Sequence, residues 1–87
     1  MYRLRLSKPA ERWLEDQPDH AYRVEVLDGI GALCEAAEDP IGARIPGFEP
    51  PAFLAFLGES DVAATYVVFH GTRDLLVLTL ERRPDFL

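Results

Sequence analysis

The strongest constraint on this chain lies in its second half. Three apolar runs, at about residues 52 to 57, 62 to 70 and 75 to 81, are separated by Gly58-Glu59-Ser60-Asp61 and by Gly71-Thr72-Arg73-Asp74. Both separators are turn chemistry, because glycine, serine and aspartate supply the backbone freedom and local hydrogen bonds that reverse a chain. Within the runs, Val67, Val68, Phe69, Val77 and Thr79 favour strand over helix. Consecutive strands joined by four-residue turns make an antiparallel meander. Whatever precedes this sheet must pack against it.

The first half supplies the packing. Tyr2, Leu4 and Leu6 alternate with Arg3 and Arg5, which predicts a strand over about residues 2 to 6 with one buried face. Ser7 offers an N-cap hydroxyl and Pro9 sits where its missing N–H is harmless, so a short helix is expected from Lys8 to about Gln17, with Ala10, Trp13 and Leu14 on one face. Pro18 interrupts it. Asp19 can cap a second helix in which Tyr22, Val26, Leu27, Ile30, Leu33, Cys34 and Ala37 recur at helical spacing, to about Glu38. Gly29 and Gly31 lie inside that helix at a cost of about 1 kcal/mol each relative to alanine, so close approach to another element is expected there. From Asp39 to Pro51 four prolines and two glycines leave room for neither a helix nor a central strand. The expected architecture is a single α+β domain over residues 1–87: an N-terminal strand, two helices, then a three-stranded antiparallel meander, with the helices on one face of the sheet. Phe53, Phe56, Tyr66 and Phe69 cannot all point to the helix side, so the other face meets water or a partner.

Composition narrows the function classes. An apolar content of 48% excludes disorder, and no run reaches the roughly 18 residues of a membrane span. The N-terminus enters a strand pattern without a signal-peptide core, so a cytoplasmic location is expected. Cys34 is the single cysteine, which excludes an internal disulfide and a multi-cysteine zinc site. The net charge of −6 counts against a generic nucleic-acid binder. That charge is localised: between Ser7 and Pro40 nine acids face three cations, and the rest of the chain is neutral. A basic surface must therefore be assembled from arginines outside that segment.

Few residues carry chemistry by pattern alone. There is no Gly-rich phosphate loop, and His20 and His70 lack metal-ligand spacing, so neither a metal nor another cofactor is expected. Cys34 and Trp13 fall on apolar helix faces and read as core. Arg82-Arg83 follow the last strand, and guanidinium groups suit phosphate through paired donors and a permanent charge. The plainer reading of that pair is a solvated strand end bonded to Glu81 or Asp85. His70, at the hinge of the last hairpin, has the chemistry of an acid or base near neutral pH.

Taken together, these residues resemble the RelE/ParE toxin superfamily. Tyr2 to Leu14 is similar to that family's opening strand and first helix. Asp39-Pro40 followed by Gly42-Ala43-Arg44-Ile45-Pro46-Gly47 resembles its loop after the second helix, and Thr65 to Phe69 with Leu75 to Arg83 resembles its final hairpin. Arg82-Arg83-Pro84-Asp85-Phe86 is similar to its basic, aromatic-ended tail. The resemblance implies the toxin half of a type II toxin–antitoxin pair, neutralised by a cognate antitoxin. One branch is a metal-independent mRNA interferase, an endoribonuclease that cuts mRNA on the ribosome and so inhibits translation and arrests growth; the other inhibits DNA gyrase. For cleavage, attack of a ribose 2′-hydroxyl on the adjacent phosphate needs a proton acceptor, a donor for the leaving oxygen and positive charge on the transition state. The resemblance matches Arg44 to the family's loop basic residue and Arg82 or Arg83 to the basic residue after its last strand, which would stabilise the phosphate; Arg73 and Phe86 are further candidate RNA contacts, and His70 and Tyr66, the nearest hydroxyl, are the candidate proton-transfer groups. The chain departs from the family pattern at Ala63-Ala64-Thr65, where ribosome-dependent members carry an arginine, and at Phe86, which replaces a terminal tyrosine. These departures, with the acidic helices, keep open the alternative of a non-enzymatic toxin or interaction module that binds a protein such as DNA gyrase, or of a toxin fold without activity.

Overall fold

The computed structural model describes residues 1–58 and 60–83. Its elements follow in the order β1 (Arg3–Leu6), α1 (Lys8–Glu15), α2 (His20–Glu35), β2 (Ala43–Ile45), β3 (Ala52–Phe56), β4 (Val62–Phe69) and β5 (Asp74–Arg82). The strands form one sheet in the order β1-β5-β4-β3-β2, with β1 parallel to β5 and every other neighbouring pair antiparallel. The expected meander is β3-β4-β5. The N-terminal strand returns to pair with the last one, and β2 is a strand the sequence did not announce.

Local chemistry sets the helix ends. The Ser7 hydroxyl accepts from the Ala10 N–H at 3.2 Å, and Asp19 accepts from the N–H groups of Ala21 and Tyr22. Both helices stop short of the ends expected from periodicity. Pro18 and Pro40 bar continuation past Gln17 and Asp39, and the helices end before those limits, α1 at Glu15 and α2 at Glu35, with turns leading into the prolines. In the connection, Gly42 has φ +104°, and a Cβ there would lie 2.3 Å from the Leu54 carbonyl oxygen. Only glycine lets the chain pass β3 this closely, which is how a short edge strand fits among the prolines.

The core lies between the helices and one sheet face. Val26, Ile30 and Leu33 of α2 and Ala10 and Leu14 of α1 pack on Val62, Ala64, Tyr66 and Val68 of β4 and on Leu75, Val77 and Leu80 of β5. Gly29 is where α2 meets the sheet side, since a Cβ added there would come within 2.7 Å of the Leu57 Cβ. Gly31 is different: nothing lies within 4 Å of its added Cβ.

The core positions of β5, namely 75, 77 and 80, break strict alternation, and the pairing explains why. Thr65 pairs with Thr79 while Tyr66 pairs with Val77, so Leu78 is an extra residue bulging from β5. Its freed carbonyl accepts the Ser7 hydroxyl at 2.5 Å, which ties the bulge to the cap of α1. Beyond the bulge the inward positions change phase, so Leu80 returns to the core. No helix among the described residues is long and apolar enough to cross a membrane.

Candidate functional site

Among the described residues neither helix covers the sheet face opposite the core, although Ala52, Ala63 and Val67 on it are only 1%, 2% and 8% exposed, and register assigns its residues. Ala52, Leu54 and Phe56 of β3, Ala63, Thr65, Val67 and Phe69 of β4, and Leu76, Thr79 and Glu81 of β5 share it with Arg3 and Arg5 of β1. The aromatic residues divide as expected between the two faces. Phe53 stacks on Tyr66 on the helix side, with ring centroids 5.6 Å apart, whereas Phe56 and Phe69 lie on the open side. The centre of the open face is small and apolar, and its charges are peripheral. Arg3 donates to Asp74 at 2.9 Å, and hydrogen bonds from Thr72 and Arg3 hold the Asp74 carboxyl below the usual carboxylate range.

The bulge at Leu78 separates the two tail arginines. Arg82 follows Leu80 on the helix side, where Nε donates to Asp61 at 2.5 Å and the guanidinium lies 5.6 Å from the centre of the Tyr22 ring. Tyr22 donates to the other Asp61 oxygen at 3.1 Å. The Arg82 hydrogen bond above all holds the Asp61 carboxyl below its usual range, while burial and the bond to Asp61 push the Tyr22 hydroxyl up. Arg83 instead contacts Glu81 at 3.2 Å, two residues back and on the open side, and its N–H donates to the Asp61 carbonyl. Of the pair, Arg83 is therefore the cation at the rim of the open face, and Arg82 is committed to α2.

The remaining candidates are dispersed. Tyr66 is fully buried on the helix side, its hydroxyl donates to the Ile41 carbonyl at 2.5 Å, and burial pushes its pKa up to about 12. It is a neutral donor inside the core at physiological pH. His70 is exposed at the β4–β5 turn, with Nδ1 2.6 Å from the Tyr2 hydroxyl and the rings edge to face. Arg73 lies in the same turn at φ +56°, and its carbonyl accepts from Arg3 N–H. These two sit at the opposite end of β5 from Arg82 and Arg83, about 25 Å away by strand rise. Arg44 is exposed on β2, opposite Phe53 and so on that residue's side of the sheet. Phe86 lies outside the described residues. Tyr66, His70 and the arginine pair are thus not brought into one cluster.

Two partners escaped the sequence reading. Asp61 and Tyr22 meet Arg82 across 21 and 60 positions of chain, a separation no local pattern encodes. Arg5 carried a signal, since the alternation in β1 that buries Tyr2 and Leu6 turns Arg3 and Arg5 to the open side. Among the described residues no group of three or more His, Cys, Asp or Glu side chains is placed to hold a metal ion.

No protein-family model matches the chain, and no curated protein sequence matches it. Solved structures do. The isolated RelE toxin of E. coli superposes with a TM-score of 0.73 at 15% identity, covering 95% of this chain and 85% of that one. The E. coli RelBE toxin–antitoxin complex gives 0.73 at 13% identity, covering 94% and 96%. The archaeal RelE–RelB complex from Pyrococcus horikoshii gives 0.72 at 21% identity, covering 95% and 96%. With the helices on one face, the β3-β4-β5 meander and the parallel return of β1, this chain has the RelE toxin fold.

Proposed function

We propose that this chain is the toxin half of a type II toxin–antitoxin pair, neutralised by a cognate antitoxin, and that it engages its target through the open sheet face. The observation that carries the reading is a RelE toxin fold matched over nearly its whole length, with that face left uncovered by either helix. For mechanism, we favour metal-independent cleavage of mRNA on the ribosome. Arg83 supports it, being the strand-end cation on the open side, where a phosphate would meet a fixed guanidinium. Arg73 would contact the RNA about 25 Å along β5 from that phosphate, whereas Arg44 lies on the Phe53 side of the sheet and His70 is too far from Arg83 to move a proton at the phosphate it would hold. A second reading, a non-enzymatic toxin that binds a protein such as DNA gyrase, draws on one specific observation. Ala63, Thr65 and Val67 fill the centre of the open face where cleavage would call for charge, and Arg82 is tied to Asp61.

The test is growth of a host expressing the chain alone, beside an Arg83→Ala variant shown by circular dichroism to be folded, with cleaved mRNA ends mapped in both. Arrest with new ends that disappear in Arg83→Ala is the expected result. Arrest with intact mRNA selects the protein-target reading, and soluble expression without arrest rejects the toxin reading.

A further inference from the structure

We infer that the outward face of α2 is a docking seam for a basic amphipathic helix of a partner protein. His20, Val24, Leu27, Gly31 and Cys34 recur at intervals of four, three, four and three residues, the spacing of a coiled-coil seam. This row runs beside the Val26, Ile30 and Leu33 row that enters the core, and at its end Cys34 is half-buried against that core. Val24 and Leu27 are 42% and 44% exposed, unusual for consecutive members of an apolar helical row. Two grooves follow one another along the row, one of about 350 Å³ beside Val24 and Leu27 and one of about 490 Å³ beside Gly31 and Cys34.

Gly31 supplies the independent observation. Gly29 is explained inside this chain by Leu57, whereas a Cβ at Gly31 would meet nothing within 4 Å. A glycine kept in mid-helix and facing open space gives a second backbone room to approach closely. It lines the second groove, where an incoming helix would come closest to α2.

Charge selects the occupant. The segment from Ser7 to Pro40 carries the chain's whole net charge of −6; Glu35 and Glu38 make the second groove acidic, while in the first Glu15 is set against Arg23. Lysines or arginines flanking an apolar row would complement the second groove. A second copy of this chain would set two acidic segments face to face, which costs rather than stabilises. The inference deepens the toxin–antitoxin reading by naming where an antitoxin helix would sit.

The probe is a synthetic helix of about three heptads with alanine and leucine on its seam and lysine on its flanks, titrated into the isotope-labelled chain and followed by NMR. Amide shifts are expected to map to the row from His20 to Cys34. Affinity should fall by at least about tenfold for a control peptide with glutamate flanks, and should weaken with added salt. Gly31→Leu, whose Cβ would meet nothing within 4 Å and whose helix propensity exceeds that of glycine, is expected to weaken binding by at least about tenfold while leaving the melting temperature undiminished. No binding, equal binding of both peptides, or shifts confined to the open sheet face overturn the inference. Self-association abolished by Gly31→Leu would overturn it in favour of a second copy. Because growth arrest is read without the peptide, arrest without peptide binding rejects the seam alone, and peptide binding without arrest rejects the toxin reading alone.

Discussion

Asp61 ties α2 to the end of the last strand. Its carboxylate holds Arg82 and the Tyr22 hydroxyl, and its carbonyl holds the Arg83 N–H. Because Arg82 keeps the folded carboxyl below its usual range, as Thr72 and Arg3 do for Asp74, the charged forms favour the fold. Their contribution is complete above the unfolded value of about 3.9 and is lost as pH falls through the lower folded values. An Asp61→Asn, Asp74→Asn double variant should therefore melt earlier than the parent at pH 7 and lose less stability on acidification below about pH 4, a comparison that thermal unfolding across pH makes directly. At Tyr66 the issue is a neutral hydrogen bond. With its pKa pushed up to about 12 and its hydroxyl given to Ile41, Tyr66→Phe should cost about 0.5–1.5 kcal/mol in urea unfolding. Growth arrest should survive it, since the hydroxyl is enclosed by the core.

At the scale of elements, the two glycines of α2 give a matched pair. Gly29→Ala drives a Cβ to within 2.7 Å of Leu57 and should destabilise the fold by about 1–3 kcal/mol. Gly31→Ala meets nothing and should stabilise by up to about 1 kcal/mol, the helix-propensity difference; denaturant midpoints of the two variants should move in opposite directions. The sequence distinguished neither glycine from the other, because the neighbour that decides is Leu57, 28 positions away from Gly29. Elements whose order comes from their own residues were legible. The two helices announced themselves through Ser7, Asp19 and apolar spacing, and the meander through its turns. The short strand β2 was not, because its three residues owe their extended shape to pairing with β3 rather than to their own preferences. The same limit applies to the candidate site. Arg82 and Arg83 were found by residue type, but which of them faces the open side depended on the extra residue at Leu78, and alternation counted from Leu75 points the wrong one inward.

For the whole molecule, charge and fold pull in different directions. The chain has the fold of toxins crystallised with antitoxins, yet it carries a net charge of −6, all of it on the helical side of the sequence. An acidic chain lacks the counterion-release term that dominates affinity for nucleic acid. Free single-stranded RNA should therefore show no binding by fluorescence anisotropy at physiological salt with micromolar protein, and mRNA cleavage should require the ribosome to present the substrate. Submicromolar binding of free RNA would contradict this. The bulge at Leu78 also gives the last strand something like a frameshift. Before it, odd-numbered side chains of β5 are read by the core; after it, even-numbered ones are. A one-residue deletion at this point would leave composition and hydropathy almost untouched while exchanging the destinations of Glu81 and Arg82. In this chain the placing of the tail cation thus depends on the length of a strand as much as on the identity of the residue, and shifting the bulge by one position would trade one arginine's place for its neighbour's.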